Sequence, residues 1–155
     1  MSIKIVEGSL LDTDAKIICH QVNCQGKMNS GIAKAIRETW PIVFEKYSNY
    51  YTSCNDLNLS MLGEVQLIKI NDSQFVCNLF AQEYYGYDGS RYTSYDAFWN
   101  CLNELKLQIP KGVKIAFPYG IGCVRGGANW NIIYKMIEEV LGEDCEVEIR
   151  RLNVG

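Results

Sequence analysis

Ile17-Ile18-Cys19-His20-Gln21-Val22-Asn23-Cys24-Gln25-Gly26-Lys27-Met28-Asn29-Ser30-Gly31-Ile32-Ala33 decides the fold, because a nearly continuous apolar run ends in small and polar residues before a helical pattern begins. A run of that kind reads as a strand buried on both faces. Upstream, Ile3 and Ile5 alternate with Lys4 as a first strand, joined to the second by the loop Glu7 to Asp14. Downstream, Ile32, Ala33, Ile36, Trp40, Val43, Phe44 and Tyr47 recur at helical spacing, and Pro41 divides them into two helical pieces. Val65, Leu67 and Ile70 suggest a strand whose hairpin partner is Phe75 to Phe80, across the turn residues Asn71, Asp72 and Ser73. Thr93 or Ser94 can cap a helix with an inner stripe of Tyr95, Phe98, Trp99, Leu102 and Leu105, ended by Ile109-Pro110. Val113 to Phe117 returns as a strand and runs into a glycine-rich loop. Beyond it, Ile132, Ile133, Met136, Ile137 and Val140 lie on one face of a helix closed by Gly142, and Val147 to Leu152 forms a last strand. Strands interleaved with helices predict a three-layer α/β/α sandwich with a central mixed β-sheet.

The chain has 155 residues, 48% hydrophobic and 21% charged, and is expected to form a single domain over residues 1–155. A chain of this size needs no staple to fold. Fifteen Lys and Arg against 18 Asp and Glu give a net charge of −3, which argues against bulk attachment to nucleic acid. No apolar run reaches the ~18 residues of a membrane span, and the N-terminus lacks a signal-peptide block, so a cytoplasmic protein is expected. The seven cysteines contain no C-x-x-C pair and read as reduced thiols that act as small hydrophobes. With one histidine in the chain, a common zinc site is improbable, and neither metal nor cofactor is expected.

Two segments carry chemistry. In the first, Gly31 lets a ligand reach main chain at a helix N-terminus, whose free N–H groups favour an anion, and Asn23 offers donor and acceptor to a sugar hydroxyl. The alternative is a tight turn in which Asn23 caps backbone groups. The second segment is Gly120 to Gly127. It lacks Walker A spacing and a Lys-Ser/Thr pair, but its four glycines let successive N–H groups converge on an anion, with Arg125 able to add a charge-assisted bond. Cys123 in that loop could be read as a thiol nucleophile, although no second histidine is present to partner it. Tyr84, Tyr85, Tyr87 and Tyr92 give a further loop adhesive polar rings, suited to a lid or a partner surface.

The run from His20 to Ala33, with Val22-Asn23-Cys24 and Ser30-Gly31-Ile32-Ala33, taken together with Tyr119-Gly120-Ile121-Gly122-Cys123 and Gly126-Gly127, resembles a macrodomain. The likeness runs in element order from Ile3 to Leu152 and is greatest to the branch containing ADP-ribose-1''-phosphate phosphatase and the terminal ADP-ribose protein glycohydrolases. It implies a cleft for ADP-ribose or a derivative of it. Asn23, Lys27, Met28, Asn29, Ser30, Gly31 and Ile32 would surround the distal ribose; Tyr119, Gly120, Ile121, Gly122, Cys123, Val124, Arg125 and Gly126 would wrap the diphosphate; Gly8, Ser9 and Leu10 would hold the adenine end.

Where many relatives read adenine with an Asp after the first strand's Gly, this chain has Ser9, and Arg150 stands where an aromatic often faces the base, able to stack through its guanidinium. The glycohydrolase Lys and Asp correspond to the neighbourhood of Gln82-Glu83 and of Gly126, which disfavours a lysyl-sugar route. The phosphatases carry a His in the run that holds His20, making it the first catalytic candidate, as base, acid or donor to phosphate; the alternative is a structural histidine near a strand end. Asp88 is a second candidate, as nucleophile or base, or else a turn former beside Gly89. Arg91 either pairs with a terminal phosphate or is a solvated cation. The expected function is metal-independent hydrolysis of an ADP-ribose derivative, by preference ADP-ribose-1''-phosphate. The alternatives are a hydrolase that removes ADP-ribose from protein or nucleic-acid ends, and a reader that binds free or attached ADP-ribose without chemistry.

Overall fold

A computed structural model describes residues 3–152. Six strands form one sheet: β1 (Ile3–Glu7), β2 (Ile17–Asn23), β3 (Val65–Lys69), β4 (Phe75–Gln82), β5 (Lys114–Pro118) and β6 (Glu146–Arg151). Their spatial order is β1-β6-β5-β2-β4-β3, and every neighbouring pair is parallel except β3 with β4. Helices α1 (Gly31–Thr39) and α2 (Pro41–Asp56) cover one face, α3 (Tyr95–Gln108) and α4 (Trp130–Leu141) the other. The sheet is mixed and lies between two helical layers, as the sequence pattern implies.

Period-2 alternation along β2 sorts the two cores. Ile18 and Val22 pack with Phe80 of β4 against Ile36, Val43 and Tyr47 of α1 and α2. Ile17 and Cys19 pack with Leu79, Phe117 and Ile149 against Phe98, Leu102 and Leu105 of α3 and Ile133 and Ile137 of α4. Pro41 ends α1 and begins α2 as its first residue, a position where its missing N–H costs nothing. Ser94 caps α3, its side chain accepting the Ala97 N–H at 3.1 Å.

Two residues leave the faces expected of them. Trp99 is 40% exposed and Ile132 42% exposed, because each stands about 100° of helix rotation from an adjacent buried residue, Trp99 after Phe98 and Ile132 before Ile133. All seven cysteines are free, five of them buried, and burial raises the Cys19 and Cys101 thiols above the usual range. Among the described residues no helix is long and apolar enough to cross a membrane.

Removing a fully buried ring should separate core from surface. Phe117→Ala is expected to cost about 3–5 kcal/mol of unfolding free energy in urea titration, and Trp99→Ala less than about 1. Equal losses would place Trp99 in the core.

Candidate functional site

Three adjacent parallel strands, β5, β2 and β4, end on the same edge of the sheet, and the loops that leave them enclose a cleft of about 370 Å³. The chain after β2 turns into α1 on one face, whereas the chain after β5 leads to α4 on the other. Neighbouring loops therefore diverge, which opens the crevice where α/β sheets take ligands.

The lip after β2 is a helix N-terminus without a cap. Ser30 makes no side-chain bond to the first turn of α1, and the Gly31, Ile32 and Ala33 amides find no acceptor among the described residues. Such N–H groups favour an anion. Opposite them, the Gly120, Gly122, Val124, Arg125 and Gly126 amides are likewise without acceptors among the described residues. The loop is shaped by glycine at two places. A Cβ on Gly126 would stand 2.1 Å from Thr93 Oγ1 and 2.4 Å from Gly122 O, and Gly122 itself has φ +75°. Lys27 and Arg125 line the cleft, and among the described residues no carboxylate does, although the chain carries more acidic than basic residues.

Tyr87 spans the opening. Its hydroxyl lies 3.4 Å from Ser30 Oγ on one lip, and the Arg125 guanidinium sits 4.6 Å from its ring centroid on the other. Tyr85 supports it edge-on at 6.3 Å and gives its N–H to Gln25 Oε1 at 2.9 Å.

The floor is polar. His20 is 1% exposed, and its Nε2 lies 2.5 Å from Asn78 Oδ1 on β4. Burial, only partly opposed by that bond, lowers the imidazole to about 4, so it is neutral at pH 7. Gln21 donates through Nε2 to Gln82 Oε1 at 2.7 Å and to Thr93 Oγ1 at 2.8 Å, while the Thr93 hydroxyl donates to Gly122 O at 2.8 Å. Side chains of the floor thus brace the glycine loop from beneath.

Asn23 is largely committed to its own loop. Its Oδ1 accepts the Gln25 N–H at 3.0 Å and lies 2.8 Å from the Tyr47 hydroxyl, and its Nδ2 donates to Lys27 O at 3.0 Å. The capping alternative describes its oxygen, and one Nδ2 hydrogen remains for a ligand.

No family model and no curated protein matches this sequence. Solved structures do. A protein of unknown function from Bacteroides thetaiotaomicron superposes with a TM-score of 0.82 at 25% identity, over 98% of this chain and 99% of that one. A macrodomain protein from Streptomyces coelicolor gives 0.77 at 21% identity, over 96% and 98% of the two chains. Thermosipho africanus DarTG, solved in complex with ADP-ribose, gives 0.75 at 18% identity, over 99% of this chain and 42% of that one. The chain has the macrodomain fold.

On this macrodomain fold, most of the expected ligand residues from Asn23 to Ile32 and from Tyr119 to Gly126 come together around the cleft. Seven expected residues do not line it: Gly8, Ser9, Leu10, Asp88, Arg91, Cys123 and Arg150. Leu10 is core, and Ser9 Oγ caps the turn Leu10–Asp12 by accepting the Leu11 N–H at 3.1 Å. Arg150 is ion-paired to Glu148 and lies against Gly8, with Nη1 2.9 Å from where a Cβ would stand. Asp88 is exposed and accepts from Ser90 N at 3.0 Å and the Tyr92 hydroxyl at 2.8 Å, bonds that hold its carboxyl below the usual range. It forms a turn and does not meet His20. Arg91 sits over Tyr95, 4.5 Å from the ring centroid. Burial raises the Cys123 thiol, which removes the lowered pKa a nucleophile needs.

Sequence reasoning missed Gln21, Asn78, Gln82 and Thr93. The signal for the first two was a polar residue inside an otherwise apolar strand run, Gln21 before Val22 and Asn78 between Cys77 and Leu79.

A buried neutral histidine makes stability depend on pH. With a folded value near 4 against about 6.5 unfolded, its contribution is complete above pH 6.5 and is lost as pH falls towards 4. Relative to His20→Gln, the protein should lose about 3 kcal/mol of unfolding free energy between pH 7 and pH 4, measured by urea titration at each pH. Parallel pH profiles for the two proteins would place the imidazole in water.

Proposed function

We propose that the chain binds ADP-ribose in this cleft, as the free nucleotide or as the end group of a modified macromolecule. The observation that carries the reading is the confrontation of two sets of unengaged main-chain amides, the first turn of α1 and the Gly120 to Gly126 loop, across one crevice. A diphosphate has oxygens on both sides to meet them. The cleft falls within the size range of small-molecule sites, and its lining offers two cations without a carboxylate to repel the ligand. Tyr87 lies where it can cover an occupant, and the exposed Tyr84 and Val124 beside the mouth leave surface for a carrier macromolecule.

Hydrolysis is the finer reading, and the branch containing ADP-ribose-1''-phosphate phosphatase is where the sequence likeness is greatest. Removal of that phosphate needs water to attack phosphorus while the bond from phosphorus to the sugar oxygen breaks. With its proton on Nε2, His20 has an unpartnered Nδ1 able to orient such a water, and among the described residues neither Asp88 nor any other carboxylate stands in the cleft to share the work. Binding is therefore the activity for which the site is best equipped, and a hydrolytic step would rest on His20 alone.

Titration calorimetry with ADP-ribose tests the reading. We expect a micromolar Kd, about −8 kcal/mol, weakened at least tenfold by Gly122→Val and changed less than twofold by Arg91→Ala or Asp88→Ala. No heat at several hundred micromolar nucleotide would falsify it. On ADP-ribose-1''-phosphate, phosphate release abolished by His20→Ala adds hydrolysis to binding, and release no faster than in buffer leaves a reader.

A further inference from the structure

Among the described residues, two buried side-chain polar atoms lack a partner: His20 Nδ1 and Gln21 Oε1. They belong to consecutive residues that both line the cleft; Gln21 Oε1 is an acceptor, and His20 Nδ1 is one whenever the ring proton sits on Nε2. Unpaired buried acceptors are rare enough to require a reason.

The state of His20 is dictated from outside the cleft. The chain of bonds begins at Lys46 O, a carbonyl that can only accept. Gln66, on β3, must turn Nε2 towards it, at 3.1 Å, which directs Oε1 the other way. That oxygen takes a hydrogen from Asn78 Nδ2 at 3.0 Å, so the Asn78 amide is oriented in turn with Oδ1 facing His20. An oxygen opposite Nε2 requires Nε2 to carry the proton, and Nδ1 keeps its lone pair. Strand register supports the line of bonds: His20 pairs with Asn78 across β2 and β4, and Asn78 with Gln66 across β4 and β3.

We propose that Gln66 is a positioning residue: acting through Asn78, it fixes His20 as a bare Nδ1 acceptor, so the cleft floor selects a ligand hydroxyl over a phosphate at that place. A sugar hydroxyl donates to such a nitrogen, whereas a phosphate dianion presents only lone pairs to it. The imidazolium, which would reverse that preference, is disfavoured by burial. The ligand half of this inference rests on the ADP-ribose reading; the tautomer does not.

Position 66 is half-buried and does not line the cleft, so it accepts substitutions that the floor would not. Gln66→Glu retains an acceptor for Asn78 Nδ2 and should preserve the arrangement. Gln66→Lys supplies only a donor; Asn78 must then turn its oxygen outward and its amide hydrogens towards His20, driving the imidazole proton from Nε2 to Nδ1. Gln66→Arg applies the same demand if the lysine variant does not fold. Because His20 is the single histidine, a long-range ¹H–¹⁵N spectrum at pH 7 reports one imidazole without assignment ambiguity.

The expected result is an Nε2–H tautomer in the native protein and in Gln66→Glu, with Nδ1 shifting on addition of ADP-ribose. Gln66→Lys or Gln66→Arg should show Nδ1–H and bind ADP-ribose about tenfold more weakly, the loss of one hydrogen bond, while Gln66→Glu stays within twofold. An Nδ1–H tautomer or an imidazolium in the native protein overturns the inference. So does a folded Gln66→Lys that keeps Nε2–H, or a switched tautomer with unchanged affinity. If ADP-ribose binds neither protein, the proposed function and the ligand preference both fall, and the tautomer spectra still decide whether Gln66 positions His20.

Discussion

The parallel pairing of β2 with β5 is the constraint on which the site depends. Ile17 aligns with Ile115 and Ile18 with Ala116, so both strands deliver their chains to the same edge of the sheet. One chain then turns to the face of α1 and α2, the other to the face of α3 and α4, and Tyr87, from the segment after β4, reaches both lips at the mouth. The crevice is a consequence of that divergence. The first turn of α1 and the Gly120 to Gly126 loop, whose amides lack acceptors among the described residues, therefore face each other across it.

What keeps the crevice from collapsing is polar. A wholly apolar floor would invite side chains to fill it, but Gln21, His20 and Asn23 are each tethered to a neighbouring element. Gln21 is tied to Gln82 and Thr93, His20 to Asn78, and Asn23 to Tyr47 and its own loop. Each bond contributes roughly 1 kcal/mol at best, so these links add little to global stability. Their effect is geometric. Thr93 and Gln21 press on Gly122 and Gly126 at distances that no Cβ could share, which holds the loop in a conformation that leaves its amides outward. Stability comes instead from the two apolar clusters on either side of the sheet, and the site is a polar seam between them.

The layers and the mixed sheet were legible because the apolar periodicities are strong and the breakers are well placed: Pro41 starts α2, Ser94 caps α3, and the turn at Asn71 to Ser73 separates β3 from β4. Both lips of the cleft were legible as well, since Gly31 after a buried strand and the glycines after β5 mark where main chain is approached closely. What could not be read was partnership across the sheet. Asn78 lies 58 residues from His20, and the bond between them exists only because β2 and β4 are neighbours in a definite register. Asp88 and Arg150 are decided by local partners instead, for Asp88 by the turn that its alternative reading gave. Each carries plausible chemistry in sequence, yet Asp88 is consumed by a local turn and Arg150 by Glu148, a residue only two positions away on the same strand.

The absence of a carboxylate from the lining residues bears on what the cleft can do with an anion. A nearby carboxylate would raise the electrostatic cost of a diphosphate by an amount that main-chain dipoles would have to offset, and at an effective dielectric of ~20 one such charge at 4 Å amounts to about 4 kcal/mol. Leaving it out favours retention of the ligand. It also withholds the group that most directly activates water or attacks phosphorus. A floor acceptor with its pKa depressed to about 4 is a weak base near neutrality, well suited to hold a hydroxyl in place and poorly suited to remove its proton. On the proposed reading, the carboxylate-free lining and the buried neutral imidazole both favour holding a ligand over reacting with it.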